Sequence, residues 1–189
     1  MPLDHFSVIA GLYDRAAEFT VREPLLGLLS LSSANLLLDA GGGTGRAAAT
    51  LRPLVREAVV VDLSYGMLRR AAQKRLLAVR APVESLPFRS GTFDRILILD
   101  ALHHVLDQHQ TANELWRMLA LGGRLVIVEP DIRLLPIKLI ALAEKLLLMR
   151  SHFLTGEKIA ALFEQLGGLV RVLYAENNVI SLVQKVRQV

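Results

Sequence analysis

The sequence predicts a single α/β domain from its length, an alternating pattern of elements and one glycine-rich turn. Its 189 residues suffice for one domain with a substantial core. From residue 35 onward, continuous apolar runs alternate with helix-like segments, a pattern typical of a parallel sheet covered by helices on both faces. The first apolar run ends in Gly41-Gly42-Gly43. We therefore expect ligand binding where that strand ends.

The expected elements divide the chain into three parts: an N-terminal helical cap, a strand–helix core and a C-terminal part. Phe6, Ile9, Ala10 and Tyr13 recur at helical spacing in the cap. Gly122-Gly123 should turn the chain into the fifth strand, and the short Glu176-Asn177 connection favours a final hairpin. The parts span 1–34, 35–130 and 131–189; the strands are expected near 35–39, 58–62, 78–83, 93–100, 124–129, 169–175 and 178–185, and the helices near 46–54, 64–77, 107–119, 134–149 and 156–166.

Composition and sequence patterns exclude several kinds of functional site and indicate where in the cell the protein is found. The chain has no cysteine, so disulfides, thiol nucleophiles and cysteine-bound zinc are excluded, and no metal site is expected. The net charge of +4 comes from scattered residues, so we expect no nucleic-acid partner. The N-terminus lacks a signal-peptide pattern, and charged residues interrupt the apolar stretch 132–149. We therefore expect a soluble, cytoplasmic protein.

The turn after the first strand reads Asp39-Ala40-Gly41-Gly42-Gly43-Thr44-Gly45. Glycine permits positive φ and close approach of a ligand to the backbone. A dinucleotide fingerprint, G-x-G-x-x-G, fails because Arg46 stands where its third glycine is required. A P-loop fails because no lysine follows the glycines. The spacing is instead D-x-G-x-G-x-G, and the alternative is a tight turn that binds nothing.

A carboxylate ends the second predicted strand at Asp62, 17 residues after Gly45. It could accept hydrogen bonds from ribose hydroxyls, and Leu63 and Met67 could cover an adenine face. The alternative is that Asp62 caps the following helix. Ser64 could take that capping role instead.

Several motifs follow one another along the chain: Leu37–Gly45, Glu84–Phe88 followed by Ser90–Asp94, Ala101–Val105 and Leu119–Pro130. In this order they resemble the motifs of class I S-adenosylmethionine-dependent methyltransferases of the ubiquinone/menaquinone-biosynthesis group. The resemblance implies a Rossmann-like three-layer sandwich whose seven-stranded, mostly parallel sheet has an antiparallel last strand. It also implies S-adenosylmethionine as the cofactor and S-adenosylhomocysteine as the product.

The same resemblance assigns binding roles to particular residues. Asp39, Gly41 and Gly43 would surround the methionine part of the cofactor, and Asp62 would hold the ribose. Leu63 and Met67 would flank the adenine, Val83 and Glu84 would lie along its edge, and Asp100 would lie near the sulfonium. One departure is Pro82, which replaces the family's usual aspartate and offers neither a carboxylate nor an N–H.

His103 and His104 follow the fourth predicted strand and are the candidate general bases, because imidazole titrates near neutral pH. The alternative is that one histidine packs beneath the cofactor and the other lies on the surface. The apolar helix 134–149 is expected to pack on the sheet and cover a lipophilic acceptor; a dimer contact and a peripheral membrane contact are the alternatives.

We therefore expect O- or C-methylation of a small, hydrophobic acceptor. The alternatives are a non-catalytic cofactor-binding or scaffolding protein, a nucleotide-binding oxidoreductase and an RNA methyltransferase. The oligomeric state stays open.

Overall fold

The computed structural model describes residues 23–146 and 151–186, with side chains described for 24–142 and 151–186. The predicted N-terminal helix around Phe6 and Tyr13 lies outside the described residues. The helices are α1 (Glu23–Leu29), α2 (Arg46–Leu51), α3 (Tyr65–Gln73), α4 (Gln108–Met118), α5 (Leu135–Leu146) and α6 (Gly156–Glu164), with 3₁₀ turns at Arg52–Leu54 and Leu102–His104. The strands are β1 (Leu36–Ala40), β2 (Glu57–Asp62), β3 (Leu77–Arg80), β4 (Phe93–Leu99), β5 (Leu119–Pro130), β6 (Leu169–Ala175) and β7 (Asn178–Gln184).

The strands form one seven-stranded sheet in the order β3-β2-β1-β4-β5-β7-β6. The pairs among β1 to β5 are parallel, whereas β7 runs antiparallel to both β5 and β6. This arrangement confirms the predicted fold class and the predicted C-terminal hairpin.

Two apolar clusters cover opposite faces of the sheet. Consecutive β1 residues alternate between them: Leu38 joins the cluster that contains Leu115 of α4 and Phe163 of α6. Leu37 joins the cluster that holds buried residues of α1, α2 and α3, such as Leu29. Because side chains of a strand alternate between faces, both faces of β1 are covered, and the layers are helix, sheet and helix.

The strand order puts β1 beside β4, although β2 and β3 come between them in the sequence. After β1 the chain therefore builds β2 and β3 on one side of this strand, and it then crosses over to place β4 on the other side. At such a switch point the loops after the two strands diverge and leave a crevice at the carboxyl edge. Here these loops are the glycine turn after β1 and the segment that begins at Asp100.

The start of β5 differs from the prediction. The strand begins at Leu119 and runs through Gly122-Gly123, where we expected a turn. Leu119 pairs with Phe93, and the register shifts before the next pair, Arg95 with Arg124. The expected turn is therefore a bulge inside one long strand, and Gly122 absorbs it with a φ of 79°.

The expected packing of the apolar helix holds for only one of its described side chains. Between residues 135 and 142 of α5, only Ile137 is buried. Leu135, Leu139 and Leu142 are 68%, 59% and 54% exposed. The apolar composition could not distinguish a buried helix from one with an uncovered apolar face.

Candidate functional site

The glycine turn owes its spacing to backbone conformation. Gly41, Gly43 and Gly45 have φ values of 68°, 55° and 72°, a region that disfavours other residues. Gly42 has ordinary φ, but a Cβ there would lie 2.5 Å from the carboxyl carbon of Asp39. The alternate-glycine pattern therefore reflects a chain that turns tightly over the Asp39 side chain.

The motif glycines differ in how closely other atoms pack around them. A Cβ on Gly45 would lie 2.5 Å from Leu76 Cδ1, so this glycine is required by packing beneath the turn. Among the described residues, a Cβ on Gly43 would meet only Met67 Sδ at 3.8 Å and Asp62 Oδ2 at 3.9 Å within a 4 Å radius. Gly43, Asp62 and Met67 thus border a common space in which a ligand could approach the backbone.

The Asp62 carboxylate, at the end of β2, holds the backbone beside this space in place. Its Oδ2 accepts a hydrogen bond from the Gly43 N–H at 2.9 Å, and its Oδ1 accepts one from the Ser64 N–H at 2.8 Å. Ser64 caps α3, because its hydroxyl accepts from the Met67 N–H. Of the two capping residues that the sequence left open, Ser64 is therefore the one that caps the helix. A carboxylate can accept about four hydrogen bonds, so ligand hydroxyls are compatible with these contacts.

Asp39 lies beneath the turn and is 1% exposed. Its Oδ2 accepts a hydrogen bond from the Ala48 N–H at 3.1 Å, whereas its buried Oδ1 has no hydrogen-bond partner among the described residues. The pKa of Asp39 is raised to about 7, mainly because the side chain is buried. The Ala48 hydrogen bond lowers this pKa in part, and the negative charge of Asp62 contributes to raising it. A cationic ligand group above the turn would relieve this unfavourable burial.

The other proposed adenine contacts differ in exposure. Leu63 is 60% exposed, whereas Met67 is buried. The Val83 side chain belongs to the core on one face of the sheet, so it is directed into the protein. Glu84 is engaged locally, because its carboxylate accepts from the Leu106 N–H at 2.7 Å. Pro82 is exposed in the same loop.

The segment after β4 contacts the glycine turn. A Cβ on Gly41 would lie 2.7 Å from Ala101 Cβ, so a side chain at position 41 would collide with this segment. Asp100, the preceding residue, is exposed and has a φ of 53°, unusual for a residue other than glycine. Its N–H donates to the Val128 carbonyl at 2.8 Å. Strain of this kind is often found at functional sites.

His103 is buried beside Glu129, which comes from the end of β5. The Nδ1 atom of His103 lies 2.5 Å from Glu129 Oε2, and both side chains are only 4% exposed. The other oxygen of Glu129 accepts from the Ala101 and Leu102 N–H groups at 2.9 and 2.8 Å. One carboxylate therefore fixes both the backbone after β4 and the orientation of the imidazole.

A segment that follows α5 covers the two histidines. The His103 ring stacks on Phe153 at a centroid distance of 4.2 Å. The His152 N–H donates to the His103 carbonyl at 2.7 Å, and the Ser151 hydroxyl lies 3.3 Å from His104 Nδ1. His104 is partly exposed, so the two histidines occupy different environments.

Sequence reasoning assigned no role to Glu129, although it quoted the residue within a motif. The available signal was its position: Glu129 lies near the end of β5, as His103 lies just after β4, and the carboxyl ends of neighbouring parallel strands meet at one edge. Among the described residues no group of three or more His, Asp and Glu side chains could hold a metal ion. In the same part of the chain, no helix is long and apolar enough to span a membrane.

Comparison with known proteins gives consistent results. Residues 38–127 match the family model described as a methyltransferase domain. The demethylmenaquinone methyltransferase of Thermobifida fusca is 31% identical over 133 residues, which cover 67% of this chain and 56% of that protein. The ubiquinone/menaquinone biosynthesis C-methyltransferase of Syntrophotalea carbinolica is 37% identical over 109 residues, 53% of this chain and 46% of that protein. The chain thus spans about half the length of these relatives.

The fold is also found in solved structures. A chain from the complex between the Haloferax volcanii Trm112 methyltransferase activator and its methyltransferase superposes with a TM-score of 0.85. The superposition covers 99% of this chain and 100% of that chain at 15% identity, so it supports the fold alone.

Residues 38–127 thus form a methyltransferase domain of the class I, S-adenosylmethionine-dependent type. Within that class, the chain is similar to the ubiquinone and menaquinone biosynthesis methyltransferases.

Proposed function

We propose that this protein binds S-adenosylmethionine at the glycine turn and catalyses O- or C-methylation of a small lipophilic acceptor. The observation that carries the proposal is the common space bordered by Gly43, Asp62 and Met67 at the carboxyl edge of the sheet. The names of the relatives, which refer to demethylmenaquinone and to ubiquinone/menaquinone biosynthesis, support a lipophilic acceptor.

The residues around the turn fit the parts of this cofactor. In the proposed arrangement Asp39, Gly41 and Gly43 hold its methionine part, and the buried Asp39 Oδ1 without a partner suits a site that takes an ammonium group. Asp62 holds the ribose hydroxyls. The remaining assigned contacts are Leu63 and Met67 on the adenine faces, Val83 and Glu84 along its edge through the loop backbone, and Asp100 near the sulfonium.

When bound, the cofactor supplies a methyl group that its sulfonium already activates. The protein then has to orient the acceptor, exclude water and, for a phenol or enol, remove a proton. We assign proton removal to His103, with Glu129 as its positioning residue. Glu129 keeps a proton on His103 Nδ1, so Nε2 is the basic nitrogen. His104, partly exposed beside it, is the alternative base.

Glu129→Gln tests this assignment. The glutamine oxygen can still accept from the Ala101 and Leu102 N–H groups, but its amide would donate to His103 Nδ1 and move the ring proton to Nε2. We expect kcat to fall about 100-fold or more with little change in KM.

The matched control for this variant is Glu114→Gln. Glu114 also accepts a backbone N–H, that of Leu86 at 2.6 Å, and its pKa is held low mainly by a hydrogen bond from Arg117. We expect this control to leave kcat close to the wild-type value. An unchanged kcat in Glu129→Gln as well would remove His103 and Glu129 from the mechanism.

Gly43→Ala tests the cofactor site itself. The new methyl group would occupy the space beside Asp62 and Met67, so S-adenosylmethionine binding should weaken by at least about 30-fold, the equivalent of about 2 kcal/mol. The positive φ should also cost about 1 kcal/mol of unfolding free energy. Calorimetric titration and urea unfolding would measure the two effects.

The control is Gly122→Ala. Position 122 has a comparable φ of 79°, and no atom of the residues that the structure describes would lie within 4 Å of the added Cβ. It should lose similar stability and retain cofactor binding. Equal cofactor affinity of the two variants would show that the turn does not approach the ligand.

The acceptor class is tested by transfer of a labelled methyl group from S-adenosylmethionine to a panel of acceptors. We expect transfer to prenylated quinols or hydrophobic phenols. Transfer confined to polar amines or RNA would contradict the acceptor class. Cofactor binding without transfer to any member of the panel would favour the alternative, a non-catalytic cofactor-binding protein.

A further inference from the structure

We propose that the exposed face of α5 docks on an anionic membrane surface and brings the carboxyl edge of the sheet to the bilayer. The inference rests on the proposed function, because docking would give the protein access to a lipophilic acceptor. The docking itself is a separate property that can be measured without cofactor or acceptor.

The exposed leucines of α5 form one stripe. Leu135, Leu139 and Leu142 are spaced by four and three residues, so they lie on the same face of the helix. Each of them is more than half exposed. Ile137 lies on the opposite face and is 9% exposed, so the helix is attached to the protein by that side. A helix held in this orientation presents its leucines outward.

Charge favours a membrane as the occupant. Lys138 flanks the stripe and is exposed. In the sequence, residues 131–150 contain four basic and two acidic residues, of which Arg133 is ion-paired with Asp131, and the whole chain has a net charge of +4. Basic residues beside an apolar helix face are typical of helices that lie in the interface of anionic bilayers.

The size of the face argues against a stable dimer. The three leucines offer on the order of 300 Å² of apolar surface. A stable protein interface buries ~800 Å² per partner. Insertion into a bilayer needs no complementary protein surface, so a narrow stripe is sufficient.

The position of α5 connects it to the candidate site at both ends. It follows β5, which carries Glu129, and the chain beyond it returns to cover the histidines. His152 and Phe153 of that returning segment contact His103 directly. A bilayer in contact with α5 would therefore lie beside the proposed acceptor side of the site.

Vesicle co-sedimentation of the full chain tests the proposal. Wild type should bind vesicles of equal parts phosphatidylglycerol and phosphatidylcholine, and bind phosphatidylcholine alone at least about fivefold less, which is the effect of about one basic residue near the surface. Leu139→Glu should lower the partition coefficient for the mixed vesicles about tenfold or more. Leu169→Glu is the matched control, because Leu169 is also 59% exposed but lies away from the carboxyl edge of the sheet. It pairs with Gln184, which pairs with Arg124 rather than with the Pro130 end of β5.

S-adenosylhomocysteine titration of Leu139→Glu shows whether the variant is folded and separates the two proposals. Retained ligand binding with lost vesicle binding supports the docking face. Equal vesicle binding by the wild type and Leu139→Glu would overturn it. A dimer in sedimentation velocity that Leu139→Glu dissociates would also overturn it, in favour of a second copy. Vesicle binding without any methyl transfer would leave the docking face standing and reject the proposed function.

Discussion

Asp62→Asn is expected to weaken S-adenosylmethionine binding about 100-fold or more. In the wild type the carboxylate accepts from the Gly43 and Ser64 N–H groups and, in the proposed site, from two ribose hydroxyls. Hydrogen bonds to a charged acceptor contribute about 1.5–3 kcal/mol each, so weakening two of them accounts for this loss. An amide can replace at most one oxygen acceptor, and its NH₂ group would face an N–H donor.

Asp94→Asn is the matched control for that experiment. Asp94 Oδ2 also accepts a backbone hydrogen bond, from Leu36 at 2.8 Å, but it lies at the amino ends of β1 and β4. Calorimetric titration should give near wild-type affinity for this control. If Asp62→Asn bound the cofactor as tightly as the control, Asp62 would have no role in holding the ribose.

The second large effect is expected from Asp39 and depends on pH. Its folded-state pKa is about 7, whereas the ordinary value is 3.8. Between these pH values the unfolded chain has lost the proton and the folded protein retains it. The stability of the folded protein therefore falls as pH rises from about 4 to about 7 and stays reduced above pH 7. Three pKa units correspond to at most about 4 kcal/mol.

Asp39→Asn removes this titration while its side-chain oxygen can still accept from the Ala48 N–H. We expect the variant to be more stable than the wild type at pH 8, by an amount that diminishes toward pH 5. Urea unfolding at several pH values measures the difference. A stability difference that does not change with pH would show that Asp39 does not titrate in this range.

Cofactor binding should involve the same proton. If the ammonium of S-adenosylmethionine binds above Asp39, its positive charge favours the ionised form of Asp39 over the protonated form. The protein then releases a proton when the cofactor binds near pH 6. Titrations in buffers with different ionisation enthalpies would detect this release. Asp39→Asn should bind without it.

The fold could be predicted because its signals are local. The apolar runs that became β1, β2 and β4 lie within a few residues of their predicted bounds, and the glycine spacing at 41, 43 and 45 coincides with three positive φ values. Turn chemistry and strand periodicity depend on neighbouring residues, so a single sequence contains them.

The features that sequence reasoning missed depend on contacts between distant residues. His103 and Glu129 are 26 residues apart, and their pairing requires β4 and β5 to lie side by side. The bulge at Gly122 arises from pairing with β4, and the exposure of α5 depends on which surfaces the sheet leaves for it. The burial of Asp39 beneath its own turn likewise depends on the three-dimensional arrangement of the turn.

Calorimetric titration of the wild-type protein with S-adenosylhomocysteine, beside NAD⁺ as the competing ligand class, tests the central claim most directly. We predict micromolar affinity for S-adenosylhomocysteine and no binding of NAD⁺. Failure of the folded protein to bind S-adenosylhomocysteine, or binding of NAD⁺ in its place, would contradict the assignment of the glycine turn and Asp62 as a cofactor site.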